Sequence, residues 1–308
     1  MLSNLITSVQ KLFNGLTKFY SIAQVPFISL YKLRSFFVII PVDLSINICT
    51  YNNRDFLKKC LISIYEKIKD IQFEVVVVDN ASQDGTVDMI KKDFPHVLLI
   101  ENDRNAGVAP ARNQSIRRSS GRYVLLLDAD TEFVSKNFGD IIRYMDFSPD
   151  VALLGVQQIT FDNQPYPASR TFPLIRDIVL RRLAFLGFIR NSRLMKAHHV
   201  LLHDSDKPME VDYVIGAFQL IRRDVFNVTG LLDENMFYGF EDADYCARIR
   251  KAGYKVVYYP SYTIKHYVSG ITRKKLLSKT GIQLLFSHFK SYAKFYKKHH
   301  DLLKRRTL

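Results

Sequence analysis

Tyr123-Val124-Leu125-Leu126-Leu127-Asp128-Ala129-Asp130 is an apolar run that ends in two acids. A short apolar run without alternation suits a strand covered on both faces, the habit of a parallel sheet with helices above and below. In open α/β sheets, ligands sit beyond the carboxyl ends of the strands. Asp128 and Asp130 would stand at that end. One residue apart, the two carboxylates repel each other, and a hard divalent cation relieves this while bridging to substrate phosphates. The plainer alternative is a loop, or a cap for a helix near Ser135, because Asp-x-Asp alone is a weak motif.

Upstream the same grammar repeats. Residues 44–50 read as a strand, 56–68 as a helix, 73–78 as a buried β-branched strand and 86–93 as a helix. Residues 97–100 read as a short strand, and 108–119 as a helix that Gly121 stops. This succession predicts an α/β fold, a mostly parallel sheet flanked by helices on both faces. Three polar clusters follow predicted strands: Thr50-Tyr51-Asn52, Asp79-Asn80-Ala81-Ser82 with Asp84-Gly85, and Asp128-Ala129-Asp130. Singly, each is ordinary turn chemistry. Together, on parallel strands, they meet on one rim.

Downstream, residues 161–210 are rich in Arg and His and show mixed periodicity. Residues 211–222 are strand-like, 242–252 read as a helix ended by Gly253, and 255–258 as a strand. Glu241 and Asp242 open that helix, where the helix dipole favours negative charge. Asp244 and Arg248 are spaced to pair along it.

The 308 residues suffice for one large domain or two small ones, and the net charge of +14 calls for an anionic partner. Cys49, Cys60 and Cys246 fit no zinc spacing, and their odd number argues against a secreted disulfide framework, so a reducing cytosol is expected. No secretory signal stands out. The best apolar stretch, 36–42, is far short of the about 20 residues that span a bilayer.

Residues 1–43 form an extension with Leu2, Leu5, Ile6, Val9, Leu12, Phe13, Leu16, Phe19 and Tyr20 on one helical face. Residues 271–308 form a basic tail. In it Ile282, Leu285, Phe286, Phe289, Tyr292, Ala293 and Tyr296 make a stripe, with Lys290, Lys294, Lys297 and Lys298 mainly outside it. Amphipathic helices of this kind suit the anionic inner face of the cell membrane, and a peripheral location there is expected. The competing reading docks both helices on the domain.

The motifs resemble glycosyltransferase family 2, with the GT-A fold, and particularly its bacterial rhamnosyltransferase-like and galactofuranosyltransferase-like branch. The resemblance rests on Cys49-Thr50-Tyr51-Asn52, Val78-Asp79-Asn80-Ala81-Ser82 with Asp84-Gly85-Thr86, Asn105-Ala106-Gly107 and Ala111-Arg112-Asn113. It continues through Leu127-Asp128-Ala129-Asp130, Gly216-Ala217, Arg222-Arg223, Gly230-Leu231-Leu232-Asp233-Glu234, Glu241-Asp242-Ala243-Asp244 and His266. It covers residues 44–270, the catalytic domain, and implies a Rossmann-like sheet.

The resemblance implies a nucleotide-diphosphate sugar donor, a divalent metal (Mg2+ or Mn2+) and inverting transfer of rhamnose or a similar sugar. The acceptor would be a saccharide or polyprenyl-linked saccharide in cell-surface polysaccharide assembly. By position it places Thr50, Asp79 and Asn80 around base and ribose, and turns Asn105, Gly107, Arg112 and Asn113 toward the donor. For Arg112 the plain alternative is an exposed helix arginine. It assigns Asp130, His266 and Asp128 to the metal, with Asp128 also on the donor side. Asp242 becomes the general base, and Glu241 orients the acceptor or takes the base role if the pair is aligned one residue out. Asn80 departs from the pattern, since many relatives carry Asp there, and this leaves uridine and thymidine nucleotides both open.

Two other functions compete. A sugar nucleotidyltransferase would also need an acidic metal site, but no phosphate loop is visible and Glu241-Asp242 with His266 stays unexplained. A nucleic-acid-binding module follows from charge alone, and no basic and aromatic motif supports it, so nucleic acid is not an expected partner.

Overall fold

The computed structural model describes residues 42–182, 207–236, 239–267 and 279–304. The N-terminal stripe from Leu2 to Tyr20 lies outside the described residues, as does much of the Arg- and His-rich stretch.

The first half follows the predicted alternation. β1 (Leu44–Thr50), α1 (Arg54–Lys67), β2 (Phe73–Asp79), α2 (Thr86–Asp93), β3 (Leu98–Glu101), α3 (Val108–Arg118) and β4 (Tyr123–Asp128) succeed one another. β1 runs parallel to β2 with Thr50 opposite Asp79, and parallel to β4 with Cys49 opposite Asp128. The three polar clusters therefore do share one rim.

The second half is mixed. It comprises β5 (Thr131–Phe133), α4 (Gly139–Phe147), β6 (Val151–Ile159), β7 (Pro165–Tyr166), β8 (Ser169–Arg170) and α5 (Ile175–Arg182). Next come β9 (Met209–Glu210), β10 (Tyr213–Val214), β11 (Phe218–Arg222), α6 (Glu241–Lys251), β12 (Lys255–His266) and α7 (Lys279–Lys304). The main sheet has the order β3-β2-β1-β4-β11-β6-β12-β5, with β7 beside β6 and β9 beside β12, while β8 and β10 pair separately. β11 is antiparallel to both β4 and β6, so the strand-like stretch 211–222 is in fact two short strands on different sheets.

β12 is three times longer than its expected four residues. Pro260 lacks an N–H, and the register against β6 shifts between Tyr259 and Thr263. The apolar pattern breaks at that bulge, but the strand resumes and carries His266 to a position opposite Thr131 of β5. His266 is thus the last residue of β12 rather than part of a segment beyond it.

The core lies on both faces of the sheet. Leu125 and Leu127 of β4 pack on one side with Leu57, Leu61, Ile64, Ile141 and Met145 from α1 and α4. Val124 and Leu126 face the other way, toward Ile116 of α3, Tyr245 and Ile249 of α6, and Phe295 of α7. Each such fully buried aliphatic side chain contributes about 1.5–3 kcal/mol. That term, repeated along both faces, is what a run of consecutive apolar residues secures.

The C-terminal stripe divides. Tyr292, Phe295 and Leu303 are buried with Phe240, so α7 docks on the domain and belongs to the same compact unit, residues 41–308. Phe286, Phe289 and Tyr296 remain exposed along the border of that docked face. Among the described residues no helix is long and apolar enough to cross a membrane. All three cysteines are free thiols.

Candidate active site

β4 ends at Asp128, the chain turns through Asp130 into β5, and β12 returns antiparallel to β5. This pairing delivers His266 to the two acids. Ligating atoms of Asp128, Asp130 and His266 all lie within 4.8 Å of one another. His266 Nε2 is 3.6 Å from Asp130 Oδ1. Its Nδ1 lies 3.0 Å from Gln158 Oε1, an acceptor, so Nδ1 carries the proton and Nε2 presents its lone pair to the acids. Burial lowers the His266 pKa, which keeps the imidazole neutral and able to ligate. Burial first, and then the neighbouring charge of Asp128, push Asp130 up to about 7. Two neighbouring carboxylates with one oriented imidazole form a donor set that suits Mg2+ or Mn2+.

On the adjoining rim, two buried acceptors lack partners. Asp79 Oδ1 accepts the Ser82 N–H at 2.8 Å, but its Oδ2 accepts nothing, and neither does Thr50 Oγ1 across the β1–β2 register. Buried polar atoms are normally bonded, and each left unmade costs about 1–3 kcal/mol. A ligand with hydrogen-bond donors, such as a ribose, answers both. Asn80 is differently used. Its amide donates to Gly107 O at 3.2 Å and accepts from Asn102 at 2.9 Å, so it ties β2 to the turn that opens α3. Asn105 Oδ1 accepts the Gly107 N–H at 3.0 Å, and Gly107 has φ +93°, a conformation that favours glycine.

Arg112 is not an exposed helix arginine. It is 2% exposed, donating from Nη2 to Asp128 Oδ1 at 2.6 Å and to Gly216 O at 2.8 Å. A Cβ at Gly216 would stand 2.8 Å from its Nη1, so the glycine makes room for the guanidinium. Asn113 is also buried. It donates to Leu232 O and Glu234 Oε1 at 2.9 and 2.8 Å and accepts the Leu232 N–H at 3.0 Å, anchoring the loop before α6.

Glu241 and Asp242 open α6 as expected. The Gly216 N–H donates to Asp242 Oδ2 at 3.2 Å, and the Ala243 N–H to its Oδ1 at 2.7 Å. Glu241 Oε2 is buried without a partner. Burial raises both carboxyls, and the Asp242 charge helps push Glu241 up to about 7. The Gly216 backbone therefore links Asp242, through Arg112, to Asp128. Asp244 points elsewhere, pairing with Arg248 at 2.9 Å as the spacing predicted, and with His299 Nε2 at 2.9 Å.

Gln158, Arg170 and His299 escaped sequence reasoning. Gln158 sits on β6, in a stretch not read as a strand. Arg170, on β8 opposite Tyr213, is buried with Nε unpartnered, and its charge acts on both Asp242 and His266. Its surroundings, Ser169-Arg170-Thr171-Phe172-Pro173, carry no period that could have placed it.

The profile of Glycosyl transferase family 2 matches residues 45–230. The chain belongs to that family. This glycosyltransferase is 28% identical over 232 residues to the N-acetylglucosaminyl-diphospho-decaprenol L-rhamnosyltransferase of Mycobacterium tuberculosis, covering 71% of this chain and 74% of the relative. It is 25% identical to the dTDP-rhamnosyl transferase RfbF of Shigella flexneri, covering 71% and 67%. The solved mannosyltransferase PcManGT of Pyrobaculum calidifontis, in complex with GDP-Man and Mn2+, shares the fold with a TM-score of 0.54 at 19% identity, over 94% of this chain and 74% of that one. The expected family and the GT-A fold are both met.

Proposed function

We propose that this glycosyltransferase moves L-rhamnose, with inversion, from dTDP-rhamnose to a polyprenyl-diphosphate-linked saccharide in cell-surface polysaccharide assembly. It would work peripherally on the inner face of the membrane. The observation that carries the reading is one continuous site. The trio Asp128, Asp130 and His266 is joined through Arg112 and Gly216 to the acid pair of α6. The two rhamnosyltransferase relatives support the sugar and its carriers.

Thr50 and Asp79 would take the nucleoside through their unpartnered oxygens. Asp128, Asp130 and His266 would hold Mg2+ or Mn2+, which supplies positive charge against the donor diphosphate as it leaves. Arg112 holds Asp128 in place, leaving its second oxygen for the ion. Asp242, oriented by two backbone N–H groups, takes the proton of the acceptor hydroxyl as that oxygen attacks the anomeric carbon. Glu241 beside it orients the acceptor.

The test compares dTDP-rhamnose with UDP- and GDP-sugars, using polyprenyl-diphospho-N-acetylglucosamine as acceptor and following both transfer and donor binding. Transfer from dTDP-rhamnose that stops in chelator, returns with Mn2+ or Mg2+ and is absent in Asp130→Ala supports the reading. Full activity in exhaustive chelator removes the metal. Preference for another nucleotide sugar reassigns the donor.

A further inference from the structure

Phe240 has φ +71° and ψ −3°, the left-handed conformation that bulky side chains avoid. Of the five non-glycine residues with positive φ among the described residues, three are asparagines, which tolerate it, and one is Ala81. Phe240 is the exception in size, and it immediately precedes Glu241 and Asp242. Its conformation sets the direction from which both acids leave the backbone. Conformations of this sort persist where the surroundings over-determine them.

Those surroundings come from α7. His288, Tyr292 and Phe295, on one face at steps of four and three, bring their rings to 4.8, 5.4 and 5.8 Å of the Phe240 ring. His288 also packs against Gly239, where a Cβ would meet its Cδ2 at 3.0 Å. The same face continues to His299, whose Nε2 lies 2.9 Å from Asp244 Oδ1. Lys298 Nζ reaches Asp244 Oδ1 and Asp233 Oδ2, each at 2.8 Å. The Asp244 N–H in turn donates to Phe240 O at 2.8 Å, closing the first turn of α6. So α7 holds that turn at both ends, by a ring at Phe240 and by a carboxylate at Asp244. Glu241 and Asp242 lie between the two grips.

We propose that α7 is a positioning element of the active site, and that its aromatic face holds Phe240 left-handed so that Glu241 and Asp242 meet the acceptor. This rests on the assignment of the base to that acid pair. Loss of the clamp lets Phe240 relax to negative φ and swings the pair away while the donor side stays intact.

The experiment uses the full chain, dTDP-rhamnose and the lipid-linked acceptor, with melting curves to confirm folding. Phe295→Ala is expected to lower kcat about tenfold, the size of a bias set by one strained residue. The Kd for dTDP-rhamnose should stay within about twofold, since no donor contact is removed. Phe240→Gly added to Phe295→Ala should recover part of kcat, because glycine takes this φ without a clamp. If α7 served stability alone, removing a second buried ring would make the double variant worse. Should Phe295→Ala not fold, Tyr292→Ala loosens the same clamp from its rim and is read identically. Unchanged kcat, or a double variant poorer than the single, overturns the inference. Asp242→Asn separates the two readings. If it abolishes transfer while Phe295→Ala does not, the clamp alone fails. If neither variant affects transfer, the base assignment fails and the clamp with it.

Discussion

Asp242 has each carboxylate oxygen set by a backbone N–H, so Asp242→Asn keeps the shape and one of the two hydrogen bonds while removing basicity. Transfer should fall at least about a hundredfold, within the usual reach of a general base. Titration with dTDP should show near-normal nucleotide binding. Near-normal transfer would instead pass the role to Glu241, whose Oε2 is free to act. At this scale the sequence spoke unevenly. Asp128, Asp130 and His266 converge because strand ends and a family pattern both mark such positions. Arg112, Asn80 and Asn113 were legible as helix-start or rim residues, but not in their partners. Arg112 reaches from α3 to Asp128 at the end of β4, and to Gly216, which lies 104 positions further along the chain. Periodicity reports which face a residue occupies, and it is silent on what crosses the core to meet it.

The elements tell the same story at longer reach. β1 to β4 were legible because each strand is a dense apolar run between turn residues. β10 was not, since a two-residue strand has no period, and β12 was legible only over its first four residues because Pro260 interrupts its pattern. The docking of α7 on α6 was hidden for another reason, which is that burial of His299 depends on Asp244. That contact makes a prediction. Burial alone would raise the Asp244 carboxyl, but the His299 hydrogen bond, the Arg248 charge on its own helix and Lys298 on α7 hold it at about 2, below 3.8. A lowered folded pKa stabilises above the unfolded value and is lost as pH falls from 3.8 toward 2. At one pKa unit per ~1.4 kcal/mol, the loss is about 2 kcal/mol. Urea midpoints measured from pH 5 to 2 should drop accordingly. His299→Ala should be less stable at pH 5 yet show a shallower acid slope, because its Asp244 lies closer to the unfolded value. Equal slopes in the two proteins would mean that the His299 contact is not what holds the carboxylate ionised.

Taken whole, the molecule carries a net charge of +14, and α7 has two dissimilar faces. One face packs on the catalytic helix. The other leaves Phe286, Phe289 and Tyr296 exposed at steps of three and seven, one helical stripe flanked by Lys290 and Lys297. Docking and surface binding are therefore compatible, since the exposed rings lie beside the docked face rather than within it. Each lysine near an anionic bilayer adds about 1 kcal/mol, and the aromatic side chains add apolar burial at the headgroup boundary. The protein should sediment with vesicles containing phosphatidylglycerol at low salt and much less with neutral ones. Raising the salt to 1 M, where the Debye length shrinks to about 3 Å, should release most of it. Phe286→Ser with Phe289→Ser should weaken vesicle binding while leaving transfer to a detergent-dispersed acceptor unchanged, because neither ring touches Phe240 or the acid pair. If this double variant binds vesicles as well as the parent, the exposed face of α7 is not the contact. If it loses transfer to the dispersed acceptor too, the two faces are not independent, and surface binding would act on the same grip that orients Asp242.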